Sequence, residues 1–221
     1  MCQKIDALLT LLQKQTVIPV VHIDNLQSAA PLARALVKGG LKTIEITLRT
    51  PSAYDAIKAI TQEVPQAIVG AGTILSALHY EQAERAGAKF IVSPGLSNAL
   101  IDCAKNSKIP FLPGAITPSE LMQALDKGYS YFKFFPAKAA GGTSFLQALA
   151  SPFSKIHFCP TGGITPQNAT QWLKLSNVFC IGGSWIAPKQ LIAAGDWNAI
   201  SALAHAATQL SSHVAKAHST T

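Results

Sequence analysis

A (β/α)8 barrel of the TIM type, forming a single domain over residues 1–221, is the fold this sequence predicts, and three observations predict it. Eight short β-branched or aromatic runs recur with starts about 21 to 26 residues apart. Segments of helical periodicity lie between them, and strand alternating with helix on that spacing argues for βα units and a parallel sheet. The 221 residues hold eight such units with no Pro/Ser/Gly linker dividing them, near the short end of the barrel size range. A doubly wound open sheet is the alternative; it calls for fewer strands and a ligand-binding glycine loop after the first.

Taken in order, the segment over 1–16 reads as an extra amphipathic helix that covers the lower end of the barrel. The strands are VIPVV (17–21), TIEIT (43–47), AIVGA (67–71), KFIV (89–92), PFLP (110–113), YFKFF (131–135), IHFCP (156–160) and VFCIG (178–182). Helical periodicity is read at Ala29–Val37, Ala53–Ile60, Tyr80–Ala86, Leu121–Ala124 and Ala169–Leu173. Thr50-Pro51, Thr117-Pro118 and Thr165-Pro166 each set a cap-forming Thr before a Pro at the first helical position. The second adds Glu120, which makes a capping box. PGAITP (113–118) and TGGITP (161–166) are similar enough to be two copies of one strand-to-helix connection. The tail over 211–221 is small and polar and is expected to fray.

Composition narrows the function. The chain is 48% hydrophobic and 13% charged, too apolar for a disordered protein. Its apolar runs are too short to span a bilayer, and its first residues lack the apolar core and cleavage site of a signal peptide. Cys2, Cys103, Cys159 and Cys180 are widely spaced with no CxxC pair, which suggests reduced thiols and a cytoplasmic location. His22, His79, His157, His205, His213 and His218 show no HxH or HExxH spacing, so no metal site is expected. The 18 Lys+Arg against 11 Asp+Glu give a net charge of +7, compatible with nucleic acid, a membrane surface or an anionic substrate. The basic residues are dispersed and no aromatic RNA-binding motif is present, which argues against nucleic acid.

Strand parity locates the chemistry. In TIEITLR, Ile44, Ile46 and Leu48 share one face, while Thr43, Glu45, Thr47 and Arg49 share the other. The apolar set must pack on helices, so Glu45 points inward and Arg49 sits near the carboxyl end, where active sites of this fold collect. A Glu directed inward is costly unless paired or used; a structural Glu45–Arg49 ion pair is the alternative to a catalytic role. In YFKFFP, Lys133 shares a face with Tyr131 and Phe135. A lysine there either snorkels to an edge or occupies a poorly solvated pocket, where the neutral amine becomes available as a nucleophile. Schiff-base chemistry needs such an amine and a proton shuttle, and Glu45 on another strand suits the second part.

Glycine-rich turns follow the last two strands, Thr161-Gly162-Gly163 and Gly182-Gly183-Ser184. Backbone N–H groups at such turns bind phosphate, and in barrels that site lies after strands seven and eight; two tight turns without a ligand are the alternative. Thr73, in GAGT after strand three, offers a hydroxyl for a carboxylate or carbonyl. Pro94, in SPGL after strand four, offers a flat apolar wall; either also fits simple turn chemistry.

Those residues in that order resemble the KDPG aldolase family, the class I aldolases that cleave 2-keto-3-deoxy-6-phosphogluconate. The matching blocks are EITLRTP (45–51), VGAGTIL (69–75), FIVSPGLS (90–97), IPFLPGAITPSELM (109–122), KFFPA (133–137), PTGGI (160–164) and IGGSW (181–185). The resemblance implies a barrel that assembles as a homotrimer and acts without metal or organic cofactor on a small anionic keto-deoxy sugar acid phosphate. By the same resemblance Lys133 forms the Schiff base and Glu45 is the general acid/base, and Arg49 and Thr73 hold the pyruvyl carboxylate with Pro94 and Phe135 nearby. Gly162, Gly163 and Ser184 hold the distal phosphate, and Thr161 influences the hydroxyl stereochemistry accepted. The shorter substrate 4-hydroxy-2-oxoglutarate is implied as a second one. Where the family usually has an acidic residue after KFFPA, this chain has Lys138, either a solvated loop lysine or a second cation acting on anionic substrates or on Lys133. Two other functions share parts of the pattern: a phosphate-binding barrel isomerase or synthase without a Schiff base, and a non-catalytic sugar-phosphate-binding barrel.

Overall fold

The computed structural model describes residues 3–12 and 15–210. The expected frayed tail, Cys2, His213 and His218 lie outside the described residues. The chain runs α1 (Ile5–Leu12), β1 (Val17–Val21), α2 (Ala29–Lys38), β2 (Thr43–Thr47), α3 (Ala53–Glu63), β3 (Ile68–Gly72), α4 (Ala77–Arg85), β4 (Phe90–Val92), α5 (Asn98–Asn106) and β5 (Phe111–Leu112). It continues through α6 (Pro118–Asp126), β6 (Tyr131–Phe134), α7 (Gly142–Ala150), β7 (His157–Pro160), α8 (Ala169–Leu173), β8 (Ile181–Gly183), α9 (Lys189–Ala194) and α10 (Trp197–Gln209).

All strand pairs are parallel. They form a six-stranded sheet in the order β5-β4-β3-β2-β1-β8 and a separate β6-β7 pair, rather than one continuous ladder of eight strands. Between the two groups stand isolated bridges, Gly114 to Lys133 and Thr161 to Gly182. The interruption at β5 has a local cause. Pro110 and Pro113 bracket its two residues and supply no N–H to a ladder. The Pro113 carbonyl still accepts from the Lys133 N–H at 2.8 Å.

Alternation along the strands divides the apolar core in two. Ile44, Ile46, Phe132 and Phe134 join the larger cluster with helix residues such as Leu36, Ile57 and Trp172. The opposite face carries a smaller cluster of Ile18, Phe90, Val92, Leu112, Cys159 and Cys180, which Leu8 and Leu12 of α1 complete. Leu8 and Leu12 are one helical turn apart, so one side of α1 presents both, and both are fully buried. Each such burial stabilises by about 1.5–3 kcal/mol. The N-terminal helix expected from the sequence therefore forms and lies against the strand starts, where the Thr43 hydroxyl donates to the Leu11 carbonyl at 2.8 Å.

Two glutamines stitch that end. The Gln3 amide donates to the Phe111 and Tyr131 carbonyls at 3.1 and 2.9 Å, and its oxygen accepts from the Ser130 and Tyr131 N–H groups at 3.1 and 3.0 Å. Gln15 does the same between β1 and β2, donating to Val17 and Thr43 and accepting from Lys42 and Thr43. Each satisfies backbone groups that a buried strand start leaves without a partner.

Of the three Thr-Pro helix starts, one forms as expected. Thr117 caps α6, with Glu120 closing the capping box. Thr50 instead donates to the Ile23 carbonyl at 2.7 Å, and α3 begins at Ala53 after Ser52. Thr165 precedes a turn; its N–H donates to the Asn168 side chain at 2.9 Å, and α8 begins at Ala169. In both places a longer connection ends at a later residue, so the Pro lies in the turn and not in the helix.

Candidate active site

The inward parity of Glu45 and Lys133 holds. Glu45 sits in the middle of β2 and Lys133 in β6; the two side chains are almost fully buried and meet at 3.0 Å between Nζ and Oε1. The alternative partner considered for Glu45, Arg49, makes no ion pair among the described residues. The carboxylate fits because β3 ends in glycine: a Cβ on Gly72 would lie 2.1 Å from Glu45 Oε1. Lys133 Nζ also stands 5.5 Å from the centre of the Phe135 ring, within range of a cation–π attraction. Below the pair the interior is neutral. Burial first, and the adjoining Cys159 second, push the Cys180 thiol well above its ordinary range, so it stays protonated.

The pair opens into a cavity at the carboxyl ends of the strands. Glu45, Thr47 and Arg49 line it from β2, Lys133 and Phe135 from β6, and Thr73 from the end of β3. Thr161, Gly162, Gly163 and Ser184 line the side formed by β7 and β8. Thr161 is buried and its hydroxyl has no hydrogen-bond partner among the described residues. A Cβ on Gly182 would lie 2.3 Å from that hydroxyl, so this glycine keeps space for Thr161 to turn toward the cavity. Gly162 and Gly163 take φ of +100° and +76°, which only glycine adopts readily. Among the described residues, the N–H groups of Gly162, Gly163 and Ser184 donate to no protein acceptor. Free N–H groups gathered at one end of a cavity are the arrangement by which backbone binds anions.

Nine of the ten site residues expected from the sequence thus come together. Pro94 follows β4 and is not among the residues that line the cavity; its carbonyl lies against Gly114, where a Cβ would stand 2.1 Å from the Pro94 oxygen. Val20, Thr47, Ile164 and Gly182 also line the cavity; of these, Gly182 reads from the sequence as part of a glycine-rich turn and Thr47 only as inward-facing, while Val20 and Ile164 are not singled out. For Val20 the signal was available, since parity along VIPVV sets it opposite Val21, which packs in the outer cluster. Lys138 is exposed, yet its backbone is held by the Gly162 carbonyl at 3.0 Å. No described helix is long and apolar enough to cross a membrane.

The family model for KDPG and KHG aldolases matches residues 8–203. The KHG/KDPG aldolase of Escherichia coli strain K12 is 50% identical over 193 residues, 87% of this chain and 91% of that one. A KDPG aldolase structure from Legionella pneumophila, with pyruvate captured as a covalent carbinolamine intermediate, superposes with a TM-score of 0.86 at 43% identity, covering 88% of this chain and 94% of that one. The 2-keto-3-deoxy-6-phosphogluconate aldolase of Zymomonas mobilis ZM4, with 3-phosphoglycerate, gives 0.87 at 44% identity, covering 96% and 98%. A buried lysine and glutamate in contact, beside a glycine turn with free N–H groups, therefore stand in a chain that belongs to the KDPG and KHG aldolase family.

Proposed function

We propose that the protein is a class I aldolase that cleaves 2-keto-3-deoxy-6-phosphogluconate to pyruvate and D-glyceraldehyde 3-phosphate. The observation that carries this reading is the buried contact of Lys133 Nζ with Glu45 Oε1 at the floor of the cavity. Over 3.0 Å the ammonium passes a proton to the carboxylate, which yields the neutral amine and a carboxylic acid together. The amine attacks the C2 ketone. One N–H proton of the attacking nitrogen passes to the carbonyl oxygen to give a carbinolamine, the hydroxyl leaves as water with a second proton from Glu45, and the nitrogen lone pair completes a protonated imine. Glu45, again a carboxylate, takes the C4 hydroxyl proton as the C3–C4 bond breaks. That electron pair flows into the imine to give an enamine, and the aldehyde departs. Glu45 returns the proton to C3, and water then hydrolyses the imine to pyruvate and free Lys133.

The rest of the cavity suits the two ends of such a substrate. Arg49, without an ion-pair partner among the described residues, balances the carboxylate in the bidentate manner of a guanidinium, and Thr73 adds a hydroxyl. The free N–H groups of Gly162, Gly163 and Ser184 take the phosphate, and the unpartnered Thr161 hydroxyl meets the substrate hydroxyls. Pyruvate held as a carbinolamine in the Legionella enzyme, and 3-phosphoglycerate in the Zymomonas enzyme, support these two ends. A second activity, 4-hydroxy-2-oxoglutarate to pyruvate and glyoxylate, uses the same pair and leaves the phosphate end empty; the double name of the Escherichia coli relative supports it.

The bridges from Gly114 to Lys133 and from Thr161 to Gly182 support closure of the strands into one (β/α)8 barrel, a single domain. Assembly as a homotrimer gives a use to the exposed Leu75, Leu78 and Met122. The free Cys103, Cys159 and Cys180 accord with a cytoplasmic location.

Borohydride reduction in the presence of pyruvate, followed by peptide mass mapping, tests the reading. A pyruvyl adduct on Lys133 is expected, absent from Lys133→Met, whose turnover falls by at least about 10³-fold. An adduct elsewhere, or undiminished turnover in Lys133→Met, overturns it.

A further inference from the structure

We propose that Lys138 is the cationic lip of the phosphate end of the cavity and sets the preference for phosphorylated over unphosphorylated substrates. This assignment rests on the aldolase reading above. Lys138 lies beyond the end of β6, but it is not on a free loop. The β6-β7 pairing continues past both strands, with the Ala137 N–H donating to the Thr161 carbonyl at 2.8 Å and the Lys138 N–H to the Gly162 carbonyl at 3.0 Å. Those two carbonyls belong to residues that line the cavity. The backbone of Lys138 is therefore tied to the turn that offers its free N–H groups to an anion.

The side chain follows the same turn. A Cβ built on Gly163 would stand 2.5 Å from Lys138 Cβ, 3.0 Å from its Cδ and 3.3 Å from its Cγ. The lysine stem thus runs across Gly163 in the space that any other residue would fill. Its ammonium has no ion-pair partner among the described residues, and the residue is solvent-exposed. A lysine held by its stem with a free, rotatable head suits a point-charge contact to phosphate.

The charge is also missing from the cavity itself. Arg49 and Lys133 are the cations that line it, and Lys133 is engaged by Glu45. At the phosphate end the lining groups are Thr161, Gly162, Gly163 and Ser184, which carry partial charges only. A dianion there meets hydrogen-bond donors but no full positive charge unless Lys138 supplies it. An exposed cation acts mainly on encounter and on ground-state affinity, and its effect is screened by salt. A substrate without phosphate gains little from it.

The experiment compares two readouts on the same variants. One is KM for cleavage of 2-keto-3-deoxy-6-phosphogluconate. The other is the pyruvate concentration that half-saturates borohydride trapping on Lys133, a ligand with no phosphate. In Lys138→Met the ratio of the first to the second is expected to rise about fivefold, and in Lys138→Glu about twentyfold. Lys138→Arg restores the ratio to within about twofold, and added salt narrows the gap between wild type and Lys138→Met. A ratio within twofold of wild type in both Met and Glu variants overturns the assignment. So does an equal rise in both readouts, which means that Lys138 acts on Lys133 or on the fold. Failure of the wild type to be trapped by pyruvate overturns the aldolase reading itself, a result distinct from either.

Discussion

The two ends of the strands are built from the same eight segments and by opposite rules. At their starts, Leu8 and Leu12 fill the space between the strands, and Gln3 and Gln15 satisfy backbone groups on four of them. Nothing polar is left over among these contacts. At the carboxyl ends the same alternation places a buried ion pair, a hydroxyl without a partner and three N–H groups without acceptors. Of these, the Thr161 hydroxyl is buried, where an unsatisfied polar group costs about 1–3 kcal/mol, whereas Gly162, Gly163 and Ser184 are partly or fully exposed and their N–H groups are open to solvent or to a ligand. Stability is concentrated at one end and chemistry at the other.

Breaking the pair at the chemical end gives the largest effect. Glu45→Gln keeps the size of the side chain and removes its ability to take a proton. Turnover is expected to fall about 10²–10⁴-fold, while pyruvate is still captured on Lys133 by borohydride. Single-turnover assays beside trapping read both quantities. Undiminished turnover removes Glu45 from the proton path.

The opposite end sharpens the contrast. Leu8→Ala opens a cavity against Ile18 and Leu112 and is expected to cost about 2–5 kcal/mol in urea unfolding. At temperatures where the variant is folded, kcat/KM stays within about twofold of wild type, because no residue of α1 lines the cavity. A large loss of kcat/KM in fully folded protein shows that the two ends are coupled and breaks the division drawn here.

How far this division was legible in the sequence follows from the range of the interactions. Period-two alternation is local, so TIEITLR and YFKFFP were enough to turn Glu45 and Lys133 inward and Ile44, Ile46, Phe132 and Phe134 outward. The Gln3 contacts join residues 108 and 128 positions apart and leave no periodic trace. The eighth strand was shifted by apolar density: VFCI is hydrophobic throughout, but Val178 makes only an isolated bridge to Phe158 and packs in the larger cluster, and the strand itself is Ile181–Gly183.

The Thr-Pro pairs make the smallest and most local version of the comparison. Thr117, Thr50 and Thr165 read alike, but Thr117 alone receives the N–H of the third helical residue, Glu120, at 3.3 Å. Thr117→Ala is expected to cost about 1 kcal/mol, and Thr165→Ala less than about 0.5 kcal/mol. The pH dependence of the same cap follows from Glu120. Partial desolvation alone would push its carboxyl up, but the N–H groups of Thr117 and Ile116, at 2.8 and 2.9 Å, outweigh it and hold the carboxyl below its ordinary 4.5. A carboxyl depressed in the folded state contributes stability that is complete above its unfolded value and disappears as pH falls through the folded one. The stability difference between wild type and Glu120→Gln is therefore expected to be constant above about pH 5 and to shrink below 4.5. Urea unfolding at stepped pH measures it, and a difference that grows on acidification reverses the sign and removes the capping box as its cause.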